Sequence, residues 1–179
     1  MARHLDKALY NEARNAGVSV VRVRELIAAG ADVTRPGRSS GGRTPLAIAA
    51  ANGRADIVAE LLAAGSPINA LDANGVTALY LAAAWGHEPT VDLLLAHGAD
   101  PNAAGPGANP PLWAAVYSGF ADIVARLVHA GAAVDFEYRG QAMPAFAESR
   151  GWPEIARALQ RSRRARQAEP FAAPDRGGM

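Results

Sequence analysis

Cysteine is absent from the 179-residue chain, which excludes disulfides and thiolate metal sites. Net charge is almost absent as well: 18 Lys and Arg face 17 Asp and Glu, leaving +1 at pH 7. That balance predicts no bulk attraction to nucleic acid or to an anionic membrane. Long apolar runs are missing too; none approaches the roughly 20 residues a bilayer span needs. The opening stretch, MARHLDKALYNEARNAG, carries Asp6 and Glu12 and lacks the apolar core of a secretory signal. A soluble cytoplasmic protein is therefore the expectation. Aromatic residues are scarce, at 6% of the chain, so any clustering of them needs a reason.

Catalytic and metal-binding patterns are also missing. Ser118 precedes Gly119, but position 116 is valine, so no G-x-S-x-G elbow forms. GPGANP (105–110) starts like a phosphate loop, then lacks the third glycine and ends in prolines. DANG (72–75) has the start of a calcium loop without its later ligands, and reads better as a turn. His4, His87, His97 and His129 form no i, i+4 pair, so no zinc site is expected. With no convergent acid, base or nucleophile set, the expectation is a protein that is not an enzyme and needs no cofactor.

What is present is a repeat. Leu46, Leu79 and Leu112 stand 33 residues apart, as do Gly53, Gly86 and Gly119, and Gly65, Gly98 and Gly131. Val58, Val91 and Val124 keep the same step, as do Leu61, Leu94 and Leu127. So many columns in one register mark a stacked repeat architecture. Each unit has a physical logic. Thr44 and Thr77 can cap a helix through their hydroxyls, and Pro45 suits a first turn, where no intrahelical N–H is needed. Leu46, Ala49 and Ala50 share one helix face, and the small alanines let neighbouring backbones approach. Gly53 ends the first helix in a left-handed conformation and Gly65 ends the second. Asp56 and Asp122 sit near the positive end of the second helices. Asn74-Gly75 is a tight-turn pair in the finger between units.

GRTPLAIAAANGRADIVAELLAAGSPINA and GVTALYLAAAWGHEPTVDLLLAHGADPNA resemble ankyrin repeats, and NPPLWAAVYSGFADIVARLVHAGAAVD is similar to a third, worn copy. ALYNEARNAGVSVVRVRELIAAGADV (8–33) resembles a divergent first repeat, its Gly17-to-Gly30 spacing being 13 where inner units have 12. MPAFAESRGWPEIARALQR (143–161) resembles a C-terminal capping repeat reached by a loop one residue shorter than the inner ones. The resemblance implies an all-α solenoid of helix–turn–helix units with β-hairpin-like fingers, about five repeats in all. The expected domain covers 1–161, with approximate repeats at 5–37, 39–71, 72–104, 105–137 and 138–161. TRPGRSSGGR (34–43) lengthens the first finger and reads as a mobile loop. Residues 162–179 read as a disordered tail. The arginines at 157, 161, 163, 164 and 166 read as solvation of the last helix end, with nucleic acid not an expected partner. Lys7 is the one lysine beside 17 arginines; with heavy alanine use, that bias points to a GC-rich bacterial source.

The family uses its fingers and first helices as a concave surface, so the resemblance implies a partner protein bound there. Candidate contacts follow from the frame. Arg43, Val76 and Asn109 precede the helix-capping column. Tyr80 and Trp113 stand where the family most often has histidine; both could serve packing or recognition. Asn52, Trp85, Tyr117 and Ser118 lie at first-helix ends. Tyr80, Trp85, Trp113 and Tyr117 would form an aromatic anchor, with Arg43, Asn52 and Asn109 adding polar specificity. His87 stands at the family's Gly-His step, which implies structural hydrogen bonding at the interhelical turn, and Phe120, in the same column, reads as packing. The function this suggests is non-catalytic protein binding, in one form a bacterial regulator or inhibitor of one enzyme or toxin. The alternative is a small-molecule sensor using the aromatic cleft.

Overall fold

The computed structural model describes residues 2–15, 17, 19–37 and 40–168. Five helix pairs follow one another: α1 (Ala2–Arg14) with α2 (Val20–Ala28), α3 (Pro45–Ala51) with α4 (Ala55–Ala63), and α5 (Ala78–Ala84) with α6 (Glu88–Ala96). The series continues with α7 (Pro111–Ser118) and α8 (Ala121–His129), then α9 (Met143–Ser149) and α10 (Pro153–Ala168). First helices stack in the order α1, α3, α5, α7, α9, and second helices in the order α2, α4, α6, α8, α10. The result is a two-layer solenoid in which each unit touches its neighbours, as the 33-residue register requires.

The expected local devices are in place. Thr44 Oγ1 accepts the Ala47 N–H at 3.3 Å, and Thr77 Oγ1 accepts the Tyr80 N–H at 3.1 Å. Pro45 and Pro111 open their helices. The columns of Leu46, Val58 and Leu61 and their copies in the next two units are buried throughout the three central units. Each such side chain contributes about 1.5–3 kcal/mol by leaving water. Ala49, Ala50, Ala82 and Ala83 are fully buried, which lets first helices approach closely.

One joint recurs at the interhelical turns. From the third unit on, the residue after the turn glycine lays its ring on the turn glycine of the preceding unit. A Cβ at Gly53 would lie 2.6 Å from the His87 ring, one at Gly86 2.7 Å from Phe120, and one at Gly119 2.8 Å from Trp152. These glycines also have φ of 66°, 78° and 79°, so both backbone and space require glycine. His87 adds a hydrogen bond between Nε2 and the Ala51 carbonyl at 3.0 Å. His87 thus makes the structural hydrogen bond expected of it, and Phe120 the packing.

The fingers are joined side by side. The Ala73 N–H donates to the Gly41 carbonyl at 2.7 Å, and the Gly105 N–H donates to the Gly75 carbonyl at 2.8 Å. Asn69 Oδ1 accepts the Asp100 N–H at 3.0 Å, and one unit later Asn102 Oδ1 accepts the Ala133 N–H at 2.7 Å. Among the described residues, a paired hairpin forms in the last finger alone. There β1 (Glu137–Tyr138) and β2 (Gln141–Ala142) pair antiparallel, Tyr138 opposite Gln141. Arg139 and Gly140, at φ 53° and 75°, make the doubly left-handed turn that suits a right-twisted hairpin.

The C-terminal boundary differs from the reading of composition. Helix α10 runs through Ala168, so 162–168 continue the last helix instead of beginning a disordered tail. Arginine, alanine and glutamine are good helix formers, and no breaker precedes Pro170. Two arginines also tie the extension down. Arg163 Nε donates to Asp135 Oδ1 at 2.8 Å, and Arg166 donates to the Ala132 carbonyl at 2.7 Å. Residues 169–179 lie outside the described residues. So do Arg38 and Ser39 of the long first finger. Its remainder turns back so that the Gly37 N–H meets the Arg43 carbonyl at 3.2 Å. No helix among the described residues is long and apolar enough to cross a membrane.

Candidate functional site

Helix α7 sets the geometry. Trp113 and Tyr117 are one turn apart, so their rings fall on one face and stack, with centroids 4.8 Å apart and planes 13° from parallel. The last finger then brings Tyr138 edge-on to both, at 5.6 Å from Trp113 and 6.0 Å from Tyr117. Phe146 on α9 lies parallel to Tyr117 at 6.1 Å, and Trp152 stands edge-on to Phe146 at 6.3 Å. Both arrangements are the favourable ones for ring quadrupoles. The Arg139 guanidinium lies 5.3 Å from the Tyr138 ring centre, and that of Arg150 lies 5.0 Å from Trp152. Five rings thus form one continuous aromatic cluster spanning the last two units, with Phe146 buried in the core and Tyr117 exposed. Within it Trp113 is half-buried, its Nε1 shielded and without an acceptor among the described residues.

The expected aromatic anchor is therefore divided. Among the described residues, Tyr80 and Trp85 make no ring contact with the α7 pair. Tyr80 is half-buried on α5; burial, and secondarily the Asp72 carboxylate, push its phenol above the ordinary value. Trp85 caps the end of α5 and is 66% exposed, and Tyr117 is 46% exposed. These are large apolar surfaces to leave in water.

Most of the polar candidates are engaged within the protein. Arg43 Nε donates to Asp72 Oδ2 at 3.1 Å, and the Asp72 side chain is completely buried. Asp72 Oδ1 also takes the Asn74 and Val76 N–H groups at 2.8 and 3.2 Å, so Arg43 belongs to the scaffold of the second finger. Val76 is buried against that same turn. Asn52 Nδ2 donates to the carbonyls of Ile48 at 3.0 Å and Arg14 at 3.3 Å, binding α3 to the end of α1. The Ser118 hydroxyl donates to the Ala84 carbonyl at 3.2 Å. Asn109 is exposed in the finger before α7.

Tyr138 and Phe146 escaped the reading of columns. Both sit in the unit whose finger is one residue shorter, yet Phe146 stands 33 residues after Trp113, as Trp113 does after Tyr80, so that step was a usable signal. For Tyr138 the signal was compositional: of few aromatic residues, it falls within ten positions of Phe146.

No curated protein matches the sequence. The pattern of the family described as Ankyrin repeats (3 copies) matches residues 9–105. Beyond that segment the same register continues, in the sequence through Gly119 and Gly131 and in the structure through α7 to α10. Ankyrin repeats are generally protein–protein interaction modules and act as non-catalytic scaffolds. With its fold and more than half its length in agreement, the chain belongs to the ankyrin repeat family.

Proposed function

We propose that this protein binds a partner protein on the surface made by its fingers and first helices, with Trp85 and Tyr117 as the anchors. The observation that carries the reading is the exposure of these two large rings at the ends of neighbouring first helices. Tyr117 is already held in a stack, so little rotamer freedom is lost when it is covered. Aromatic residues in such positions dominate binding energy elsewhere. Asn109 is the polar candidate left free to select the partner, whereas Arg43, Asn52, Val76 and Ser118 act indirectly by fixing fingers and helix ends. In its concrete form the protein is a bacterial regulator or inhibitor seated in the cytoplasm on one enzyme or toxin. A small-molecule sensor is less well supported, because the rings pack on one another instead of walling an enclosed cavity.

The test compares pull-downs from a bacterial lysate with wild type and with the double variant Trp85→Ala, Tyr117→Ala. Both should show the same helical circular dichroism, and the variant should lose a stoichiometric partner that wild type retains. Equal recovery by both proteins would place the contact elsewhere.

A further inference from the structure

The near-zero net charge conceals a cleft of strongly one-sided character at the N-terminal end. Helical periodicity puts Arg3, Lys7, Tyr10 and Arg14 along one stripe of α1. That stripe lines a cleft of about 700 Å³, closed on its other side by Arg35, Pro36 and Gly37. The walls are fixed to each other. Asp6 is buried; its Oδ1 accepts the Asp32 N–H at 2.8 Å, and its Oδ2 faces Arg35 at 3.3 Å. The Tyr10 ring lies on Gly37, where a Cβ would meet it at 2.6 Å. Asp6 is the one carboxylate among the lining residues, and it is already engaged. Arg3, Lys7 and Arg14 are exposed and have no ion pair among the described residues.

We propose that this cleft binds an extended acidic peptide segment of a partner protein. Three uncompensated cations along a groove attract an anion, and their spacing selects its shape. From Arg3 to Arg14 the helix rises about 16 Å. Roughly five residues of extended chain, at about 3.3 Å each, cover that length. Alternate side chains of such a chain recur on one side every ~6.6 Å, close to the ~6 Å rise from Arg3 to Lys7. Tyr10, between Lys7 and Arg14, lines the cleft where the intervening side chain would lie. A flat anionic bilayer does not fit a concave groove. A second copy stacked end to end is opposed by charge, since the far end carries exposed Arg157, Arg161 and Arg164.

The probe is a fluorescein-labelled peptide of alternating Glu and Ser, followed by fluorescence anisotropy. Saturable binding is expected, with none to the Gln–Ser analogue. Raising sodium chloride should weaken it by about tenfold or more, because exposed charges are screened. Lys7→Glu with Arg14→Glu should weaken it by at least roughly tenfold. Arg161→Glu with Arg164→Glu, at the opposite end, should leave it unchanged, as should Trp85→Ala with Tyr117→Ala. That last control separates this site from the aromatic one. Circular dichroism checks folding, and the milder Lys7→Gln, Arg14→Gln pair serves if the reversal unfolds α1. No binding of the acidic peptide, equal binding of the neutral one, or equal loss from the Arg161 and Arg164 variant would overturn the proposal. So would full displacement by millimolar inorganic phosphate, which marks a small-anion site, or retention on anionic vesicles without peptide binding, which marks a membrane contact.

Discussion

Replacing Gly86 by alanine tests the ring-on-glycine joint most directly. Gly86 and Gly98 have nearly the same left-handed backbone, with φ of 78° and 82°. An alanine in that conformation costs about 1–2 kcal/mol at either place. At Gly98 nothing lies within 4 Å of an added Cβ, so the backbone cost is the whole cost. At Gly86 the Cβ would meet the Phe120 ring at 2.7 Å, inside any tolerable contact. Overpacking of this kind adds about 1–3 kcal/mol. Phe120 is 36% exposed and can swing outward, which favours the lower half of that range. Gly86→Ala should therefore cost about 2–4 kcal/mol in all. In a Phe120→Ala background the same substitution should fall back to the Gly98→Ala value. Urea unfolding followed by circular dichroism on the four variants and wild type measures this as a double-mutant cycle. If Gly86→Ala and Gly98→Ala cost the same within ~0.3 kcal/mol, or if removing Phe120 brings no relief, the joint does not act as described.

Two further outcomes follow from the fingers. Asp72→Ala strands Arg43 and the Asn74 and Val76 amides, and should cost about 3 kcal/mol in urea unfolding. Asp72→Asn, which keeps the Oδ1 acceptor, should cost clearly less; equal costs would mean that the Oδ1 contacts do not matter. Asp32 is held below the usual carboxylate range, first by the Thr34 hydroxyl and then by the Thr34 N–H. Its stabilising contribution is therefore present above the unfolded value near ~3.9 and fades as pH falls through the lower folded value. Thr34→Val should raise the Asp32 titration midpoint in an NMR pH series, and its stability deficit against wild type should shrink on acidification. An unchanged midpoint would show that the hydroxyl is not the cause.

Much of this architecture could be read from residues alone, because a repeat displays each structural requirement three times. Thr44 with Thr77, and Gly53 with Gly86 and Gly119, reveal caps and turns through recurrence, and His87 was legible from the Gly-His step of the family that the repeat resembles. The site was harder to read. Columns tell which residues vary, but not which way a side chain turns once the next unit is stacked on it. Arg43 looked like a free cation until the neighbouring finger supplied a buried carboxylate, and Asn52 and Ser118 each found a carbonyl on the preceding first helix. The Tyr138 ring lies in a finger where the register slips by one residue, and although Phe146 stands 33 residues after Trp113, that step does not tell that its ring lies along Tyr117. The basic stripe of α1 was hidden for another reason. A net charge summed over the whole chain cancels it against acids on the outer helices, such as Glu60, Glu88 and Asp92.

The seams between inner units all use the same fittings: a ring seated on a glycine, and an asparagine reaching the next backbone amide. A whole module could therefore be spliced out without leaving mismatched ends. With residues 72–104 removed, Phe120 would settle on Gly53, and Asn69 would meet Ala133 as Asn102 does now. Array length is thus adjustable in whole units: a further unit inserted ahead of residue 72 would move the two binding ends apart without redesigning either, whereas removing 72–104 would also take away Trp85.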